Sequence, residues 1–240
     1  MAITKLKALG VTDGTLTNTQ INASAAIAKT KLAALDIVNA DVNASAAIAA
    51  TKVASDFALI HTIDASNQAA VTFTSSHITD DYMDYKIMIR YMAPSTNGQA
   101  LYIWPSIDNG ANYNVLIEQI KLYRDLKASN ATGTASSAGN SAAKIDLNAG
   151  IENTANKGNS VEINLIGLRQ TTGWKGMYYN SIGAHNNDGG HNTGNDYWWN
   201  GAAKIIGTSN TDRTKINNIR ITAASGNVNQ GKFSLYGIKA

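Results

Sequence analysis

The 240-residue chain contains no cysteine, so it has neither a disulfide framework nor a thiolate for catalysis or metal binding. Charged residues are also scarce, at 15% of the chain against roughly 25% in an average globular protein. The 20 basic and 17 acidic side chains leave a net charge of +3. This charge is too small to indicate a nucleic-acid-binding protein, and no nucleic-acid partner is expected.

Long apolar runs are missing as well. The longest wholly apolar stretches, such as Ala46–Ala50, are far shorter than the roughly 20 residues that a membrane span needs. Thr12, Asp13 and Gly14 lie where a signal peptide would have its apolar segment. We therefore expect a protein that is made in the cytoplasm of the producing cell and does not insert into membranes.

The front of the chain is a repeat. Residues 21–32 (INASAAIAKTKL) return 21 residues later as residues 42–53 (VNASAAIAATKV), and nine of the twelve positions are identical. Residues 2–9 form a partial further copy, which aligns with residues 28–35. Repetition at a fixed period indicates one small unit that is stacked along an axis.

Each repeat unit is expected to contain a short helix and an extended segment. Ser24 and Ser45 are good helix N-caps, and Ala-rich stretches follow them. Such short helices are unstable alone, but several chains around one axis can enclose a core. The large apolar residues of the repeats that are available for such contacts between chains are Ile21, Ile27, Leu32, Val42, Ile48 and Val53. A flexible linker is the alternative, although such linkers are usually Gly/Ser-rich and lack periodic apolar residues.

Tandem units of the type A-x-I-A-x-T-K-L resemble those of tail-fibre and other virion structural proteins of tailed bacteriophages, particularly marine and cyanobacterial phages. The closing residues 233–239 (FSLYGIK) are similar to the last strand of β-sandwich domains in many phage structural proteins. The resemblance covers residues 1–55 and these few closing residues. It implies a homotrimeric, non-enzymatic part of the virion, in which the large apolar residues of the repeats named above would make the trimer and anchoring contacts. It leaves tail and head placement open.

After the repeats, the pattern favours β-structure. Residues 85–91 (YKIMIRY) and 161–165 (VEINL) alternate between apolar and polar side chains. Many such short segments, separated by Gly, Asn and Ser turns, indicate a sandwich or a jelly roll; residues 116–126 could instead be helical. We predict a mainly β protein, in which a repeat region of residues 1–55 precedes a jelly-roll-like β-sandwich of residues 56–240.

Residues 106–113 (SIDNGANY) resemble the Asp-box hairpin, S-x-D-x-G-x-x-aromatic. The pattern predicts that Asp108 accepts hydrogen bonds from its own turn, that Gly110 has a positive φ and that Tyr113 packs beneath. This hairpin occurs in sialidases and also in many non-enzymatic β proteins. By itself it is therefore interpreted as a folding device.

A weak candidate for a metal site consists of His185, Asp188 and His191, which are spaced at three-residue steps. Two imidazoles and one carboxylate could meet at one ion. The alternative is a polar loop with incidental histidines, which the loose spacing favours. We assign no metal and no cofactor.

No pattern indicates an enzyme. The chain has no G-x-S-x-G nucleophile motif and no phosphate-binding Gly loop. A glycosidase needs two carboxylates held across a sugar, and the spacing of the acidic residues selects no such pair. We expect a protein without enzymatic activity.

A ligand-binding surface is the more specific possibility. Aromatic residues are concentrated at positions 174–179 and 197–199, and aromatic rings stack on sugars while Asn and Asp bind hydroxyls. Adjacent strand residues point to opposite faces, so one of Trp198 and Trp199 should lie in the core. The residues assigned to ligand or receptor contact are Trp199, Tyr178, Tyr197 and Trp174; burial in the core or at a subunit interface is the alternative.

The sequence therefore favours a virion structural protein, a trimeric tail fibre with a host-facing β domain that could bind a host surface glycan. Residues 1–55 would attach it to other virion proteins, either a tail adaptor or nozzle or the capsid. A head fibre or capsid decoration protein is the alternative. A polysaccharide-degrading tailspike is less favoured, because the usual β-helix depolymerases are longer and no carboxylate pair stands out.

Overall fold

The computed structural model describes residues 56–125, 134–142, 144–153, 158–184, 196–209 and 212–239. The repeat region, residues 1–55, therefore lies outside the described residues. The same holds for the trimer and anchoring contacts expected of Ile21, Ile27, Leu32, Val42, Ile48 and Val53.

Twelve β-strands run through the described ranges, and none of the residues in those ranges is helical. The strands are β1 (Phe57–Gln68), β2 (Val71–Phe73), β3 (Asp84–Pro94), β4 (Gln99–Ser106), β5 (Leu116–Asp125), β6 (Thr134–Ala142), β7 (Ile145–Ile151), β8 (Asn159–Ile166), β9 (Lys175–Ala184), β10 (Asp196–Gly207), β11 (Asn218–Ala223) and β12 (Val228–Ile238). The helical alternative for residues 116–126 is wrong, because most of that segment is strand β5. The described part accordingly holds no helix that is long and apolar enough to cross a membrane.

The strands form two antiparallel sheets, as the sequence pattern predicts. The larger sheet has eight strands in the order β1-β12-β3-β8-β9-β10-β5-β6, and the smaller has four in the order β2-β11-β4-β7. The first and last strands of this series, β1 and β12, pair along most of their length. The chain passes from one sheet to the other at each of the steps β1–β2, β2–β3 and β3–β4.

Two hairpins enlarge the eight-stranded sheet on one side. Strands β9 and β10 pair with each other, as do β5 and β6, and the β10–β5 pairing joins the two hairpins. When the hairpin strands β9, β10, β5 and β6 are left out, four strands remain in each sheet. Their orders are β1-β12-β3-β8 and β2-β11-β4-β7. The hairpins therefore extend the larger sheet beyond β8 without interrupting the order of the other eight strands.

One buried core lies between the two sheets. Alternate residues of β3 and β8 point inward, as the apolar-polar alternation of these segments predicts. The larger sheet contributes, among others, Tyr85, Ile87, Ile89, Val161, Ile163, Leu165, Phe233 and Leu235. The smaller sheet contributes Val71, Phe73, Leu101, Ile103, Ile145, Leu147, Ile219 and Ile221. Burial of these side chains supplies the main favourable contribution to folding.

A buried polar contact also joins the two sheets. Gln119 of β5 donates from Nε2 to the carbonyl oxygen of Asp146 in β7 at 2.6 Å, and its Oε1 accepts from the Asp146 N–H at 3.1 Å. The hydroxyl of Tyr179 in β9 donates to the same carbonyl at 2.7 Å. Burial raises the pKa of Tyr179 far above its usual value, so its hydroxyl keeps the proton that this bond needs.

Replacing Gly201 with alanine is expected to destabilise the protein, because Tyr179 has no room to move. A Cβ at Gly201 would lie 2.5 Å from the Tyr179 ring, which is fully buried and held by its hydroxyl. Overpacking of this kind costs about 1–3 kcal/mol, and we expect a corresponding loss in the free energy of unfolding measured with urea.

The matched control is Gly176→Ala in the neighbouring strand, where the nearest heavy atom to a new Cβ is 3.5 Å away. This variant should unfold at nearly the wild-type urea concentration. Equal midpoints for the two variants would contradict the steric argument.

Two histidine rings stack where β1 passes close to the residues that follow β2. The rings of His61 and His77 lie 4.1 Å apart and within 11° of parallel. The backbone N–H of Thr74 donates to Nδ1 of His77 at 3.2 Å, which requires an unprotonated Nδ1. Burial, and in addition the nearby His61, lower the pKa of His77 below its ordinary value of 6.5.

We expect the protein to lose stability as the pH falls below about 6.5, because the unfolded chain then binds a proton at His77 more readily than the folded chain does. Above that pH the contribution is fully present. His77→Asn keeps an acceptor for Thr74 but does not titrate. Melting temperatures measured at about pH 7.5 and about pH 5.5 should therefore differ less in this variant than in the wild type. An undiminished difference would contradict the assignment.

Candidate functional site

The candidate metal ligands His185, Asp188 and His191 lie outside the described residues. Within the described ranges, no group of three or more His, Asp and Glu side chains is placed to hold a metal ion.

The turn at residues 106–113 has the internal contacts that its sequence predicts, but it is not a hairpin, because the strands that it connects, β4 and β5, lie in different sheets. Asp108 accepts a hydrogen bond from Ser106 Oγ at 2.7 Å, from the Asn112 N–H at 2.9 Å and from Asn112 Nδ2 at 2.7 Å. Gly110 has a φ of +85°. These hydrogen bonds, with that from Ser106 the strongest, lower the pKa of Asp108 to about 2. The carboxylate is therefore fully used in closing its own turn.

Tyr113 completes this turn by packing against β11. Its hydroxyl donates to Asn218 at 2.8 Å, and the guanidinium of Arg220 lies 3.8 Å from the centre of its ring. The three predictions for this motif are confirmed, and all of its contacts are structural.

The outer face of the four-stranded sheet carries a row of aromatic and cationic side chains. Tyr102 and Trp104 contact each other edge to face, with ring centres 6.1 Å apart. Lys144 lies 3.4 Å from the centre of the Tyr102 ring, and Arg220 lies 5.2 Å from that of Trp104. The indole N–H of Trp104 donates to Thr222 at 2.9 Å. These rings are already engaged by neighbours, so the row is explained by packing within the sheet surface.

The expectation that Trp199 contacts a ligand is corrected. Trp199 is only 8% exposed and points to the inside of the sheet, whereas Trp198 is 37% exposed on the outer face. The reason is the two-residue alternation of strand β10. Ala203 and Ile205 are buried and share the inward parity of Trp199, while Lys204 shares the outward parity of Trp198.

The other assigned aromatic residues do not form one cluster. Trp174 is exposed, but Lys204 and Arg213 lie 3.6 Å and 3.9 Å from the centre of its ring. Tyr178 is exposed on the outer face of β9, four residues from the partner of Trp198, which places it roughly 13 Å away along the strand. The side chain of Tyr197 is not among those that the structure describes.

Two rows of outward side chains cross the middle of the eight-stranded sheet. One row runs from β8 through β9 to β10 and consists of Ser160, Ile182 and Trp198. The next row begins in β3 and consists of Met88, Glu162, Asn180 and Asn200. Apolar and hydrogen-bonding side chains therefore lie beside each other in a small area of the sheet.

These rows border a groove with a volume of about 530 Å³, which we call the outer groove. Its lining includes Arg90, Tyr91, Glu162, Asn180, Ile182 and Trp198. The volume falls within the range of roughly 300–1,000 Å³ that is usual for small-molecule sites. The four strands that line it also build the core, so the backbone of the groove is held from below.

A β-bulge in β3 turns two consecutive side chains toward solvent at one end of the outer groove. The pairing of β3 with β8 shifts between Ile89 and Met92, and both Arg90 and Tyr91 are exposed. Tyr91 has a φ of +53°, which costs a bulky residue about 1–3 kcal/mol. Such bulges often redirect side chains beside binding sites.

Gly158 allows this bulge to form. A Cβ at Gly158 would lie 2.5 Å from the backbone carbonyl carbon of Tyr91, so only glycine lets the start of β8 approach so closely. Gln230 Nε2 also donates to the Tyr91 carbonyl oxygen at 3.4 Å. Contacts from both neighbouring strands therefore hold Tyr91 in its unusual conformation.

The carboxylate in the outer groove is held in place and ionised. Glu162 Oε1 lies 2.6 Å from Lys86 Nζ and accepts from Asn164 Nδ2 at 3.4 Å. The hydrogen bond from Lys86 is the main cause of a lowered pKa at Glu162. Both contacts use Oε1, which leaves Oε2 as an acceptor.

The other charge in the groove is the guanidinium of Arg90, which forms no ion pair with any described residue. Because Lys86 neutralises Glu162, no other charge among the described lining residues balances that of Arg90. The arrangement offers one indole face, an aliphatic wall, an amide, a fixed carboxylate and one cation to a ligand.

Part of this site could have been found in the sequence. The outward parity of Lys204 and Asn200 identifies Trp198 as the exposed indole, and the alternation of residues 161–165 places Glu162 outward. No local signal marks the bulge at Arg90 and Tyr91, because it depends on Gly158, which is distant in the chain.

Comparisons of this chain with protein-family models, curated proteins and solved structures find no match.

Proposed function

We propose that this chain is a non-enzymatic structural protein of a tailed-phage particle. In this proposal it is a trimeric tail fibre, attached to other virion proteins through residues 1–55, with the domain of residues 56–240 facing the host. A head fibre or capsid decoration protein with the same architecture is the second candidate, since the repeats could equally attach to a capsid.

The observation that carries the proposal is the strand order. Numbered from one to eight along the chain, the strands that remain without the two hairpins have the orders 1-8-3-6 and 2-7-4-5. This is the order of a jelly roll, a double-sheet architecture of viral capsid and lectin domains. We infer a jelly roll that two hairpins enlarge on one side.

A fold alone does not define a function, and two further features support this one. The repeats of residues 1–55 resemble those of phage fibres, and they supply a means of joining three chains. Three copies of one domain would also multiply weak contacts with a host surface through effective concentration.

The chemistry of the outer groove supports a binding role over hydrolysis. Glycosidases need two carboxyl groups, one of them a general acid that keeps its proton near neutral pH. Among the described lining residues, Glu162 is the only carboxylate. Its pKa is lowered by Lys86, which is opposite to the shift that a general acid requires.

The full-length protein is expected to be a trimer in solution. Size-exclusion chromatography with light scattering should give three times the 25.4 kDa mass of one chain, and the mass should not change on dilution. A stable monomer would contradict the fibre proposal.

Particles of the phage that encodes this chain should bind gold-labelled antibody against residues 56–240 at the tail. Regular labelling over the head would instead favour the head-fibre or decoration candidate. Intact particles that carry no label, while the purified protein binds the same antibody, would contradict a place in the virion.

A further inference from the structure

We propose that the outer groove is a binding site for a saccharide that carries a carboxylate group. The proposal rests on the proposed function only for the source of this saccharide, a host surface. The binding chemistry depends only on the side chains that line the groove.

The indole of Trp198 supplies the groove with an exposed aromatic ring. Among the four tryptophans, Trp199 is buried, and Trp104 and Trp174 have cations against their rings. Among the described side chains, none forms a ring or cation contact with Trp198. An exposed aromatic ring beside polar groups is suited to stacking on the C–H face of a sugar.

Hydrogen-bonding groups line the groove together with this ring. Asn180 offers both donors and an acceptor, Ser160 offers a hydroxyl, and Glu162 offers Oε2. Lys86 and Asn164 fix the Glu162 carboxylate, so binding orders few additional rotamers. Flat apolar surface and closely spaced hydrogen-bonding groups together match the two surfaces of a sugar ring.

Arg90 supplies the groove with a positive charge. A guanidinium binds a carboxylate with two parallel hydrogen bonds, and Arg90 has no such partner among the described residues. With Glu162 already neutralised by Lys86, the net charge of the groove favours an anionic ligand. Arg90 and Trp198 both line the groove, on strands that lie three apart in the sheet, so a saccharide with a carboxylate that spans the groove would contact both.

A second copy of this chain fits the groove less well. The cores of protein–protein interfaces are depleted of charge, whereas the lining of this groove includes Arg90, Glu162 and Asn180. The exposed Tyr178 and Ile120 lie in the next row of the sheet, outside the groove. A copy seated there would bury the charge of Arg90 without a described partner for it.

The test uses the full-length protein on a glycan array. The probes are oligosaccharides that end in sialic acid, glucuronic acid or galacturonic acid, each beside its neutral counterpart. We expect binding to at least one acidic probe, at least tenfold weaker binding to its neutral counterpart, and weaker binding at high salt. A charge-assisted hydrogen bond is worth about 1.5–3 kcal/mol, which corresponds to roughly tenfold or more in affinity.

Two variants examine the groove directly. Trp198→Ala should lower the affinity for the acidic probe roughly tenfold or more, and Arg90→Gln should remove the preference for acidic over neutral probes. The matched controls are Trp174→Ala, which removes an exposed indole outside the groove, and Lys232→Gln. Lys232 is the register partner of Arg90 in β12, so its variant changes the net charge equally. Both controls should bind like the wild type.

Asn180→Asp provides a variant with little risk to folding, because Asn180 is exposed on the sheet surface. Its added negative charge should weaken binding of the acidic probe.

The proposal is overturned if no acidic probe binds, if neutral probes bind equally well, or if Trp198→Ala and Arg90→Gln leave binding unchanged. A changed oligomeric mass in Trp198→Ala would also overturn it, since the groove would then be a subunit contact. None of the binding outcomes alters the trimer mass or the particle labelling, so failure of this site is distinguishable from failure of the proposed function.

Discussion

The two hydrogen bonds between the Gln119 side chain and the Asp146 backbone fix where the enlarged part of the larger sheet lies against the smaller one. Within the larger sheet the added hairpins pair with the other strands only along β8, and apolar side chains such as Met177 and Ile205 pack them into the common core. Gln119 is buried and satisfies both the N–H and the carbonyl of Asp146 in the opposite sheet. If these buried groups were left without their hydrogen bonds, the fold would lose stability equal to their full desolvation free energy. The bonds therefore hold the hairpins against β7.

The position of the hairpins determines what the outer face can present. Tyr179 points inward to reach Asp146, and its ring occupies the space above Gly201 in β10. Because side chains alternate along a strand, this fixes Tyr178, Asn180 and Ile182 on the opposite face. A slip of one residue between β9 and β10 would move Trp198 inward and Trp199 outward. Packing in the core and the composition of the groove are therefore consequences of one register.

The sequence predicts those parts of the structure that depend on near neighbours. Alternation along residues 85–91 and 161–165 predicts strands with the correct inward face, and the turn of residues 106–113 follows from the bonds that Asp108 makes locally. The hairpin that this motif suggests is wrong, since the partners of β4 and β5 are set by distant strands. Strand order requires pairings between distant residues, such as that of β1 with β12, and no local pattern encodes them. The bulge at Tyr91 likewise needs Gly158. The aromatic positions were therefore recognisable, but their division between core and surface required the register.

The location of the groove on strands also affects the affinity that the proposed saccharide site would need. Its side chains project from a backbone that the core holds in place, and the strained Tyr91 is fixed by Gly158 and Gln230. A site on rigid elements loses little conformational entropy on binding. In a trimer, three such sites would act together, and effective concentration would raise their combined affinity well above that of one site. One indole, one guanidinium and a few hydrogen bonds per chain would then be sufficient for the proposed attachment, and each single contact would be weak enough to be exchanged.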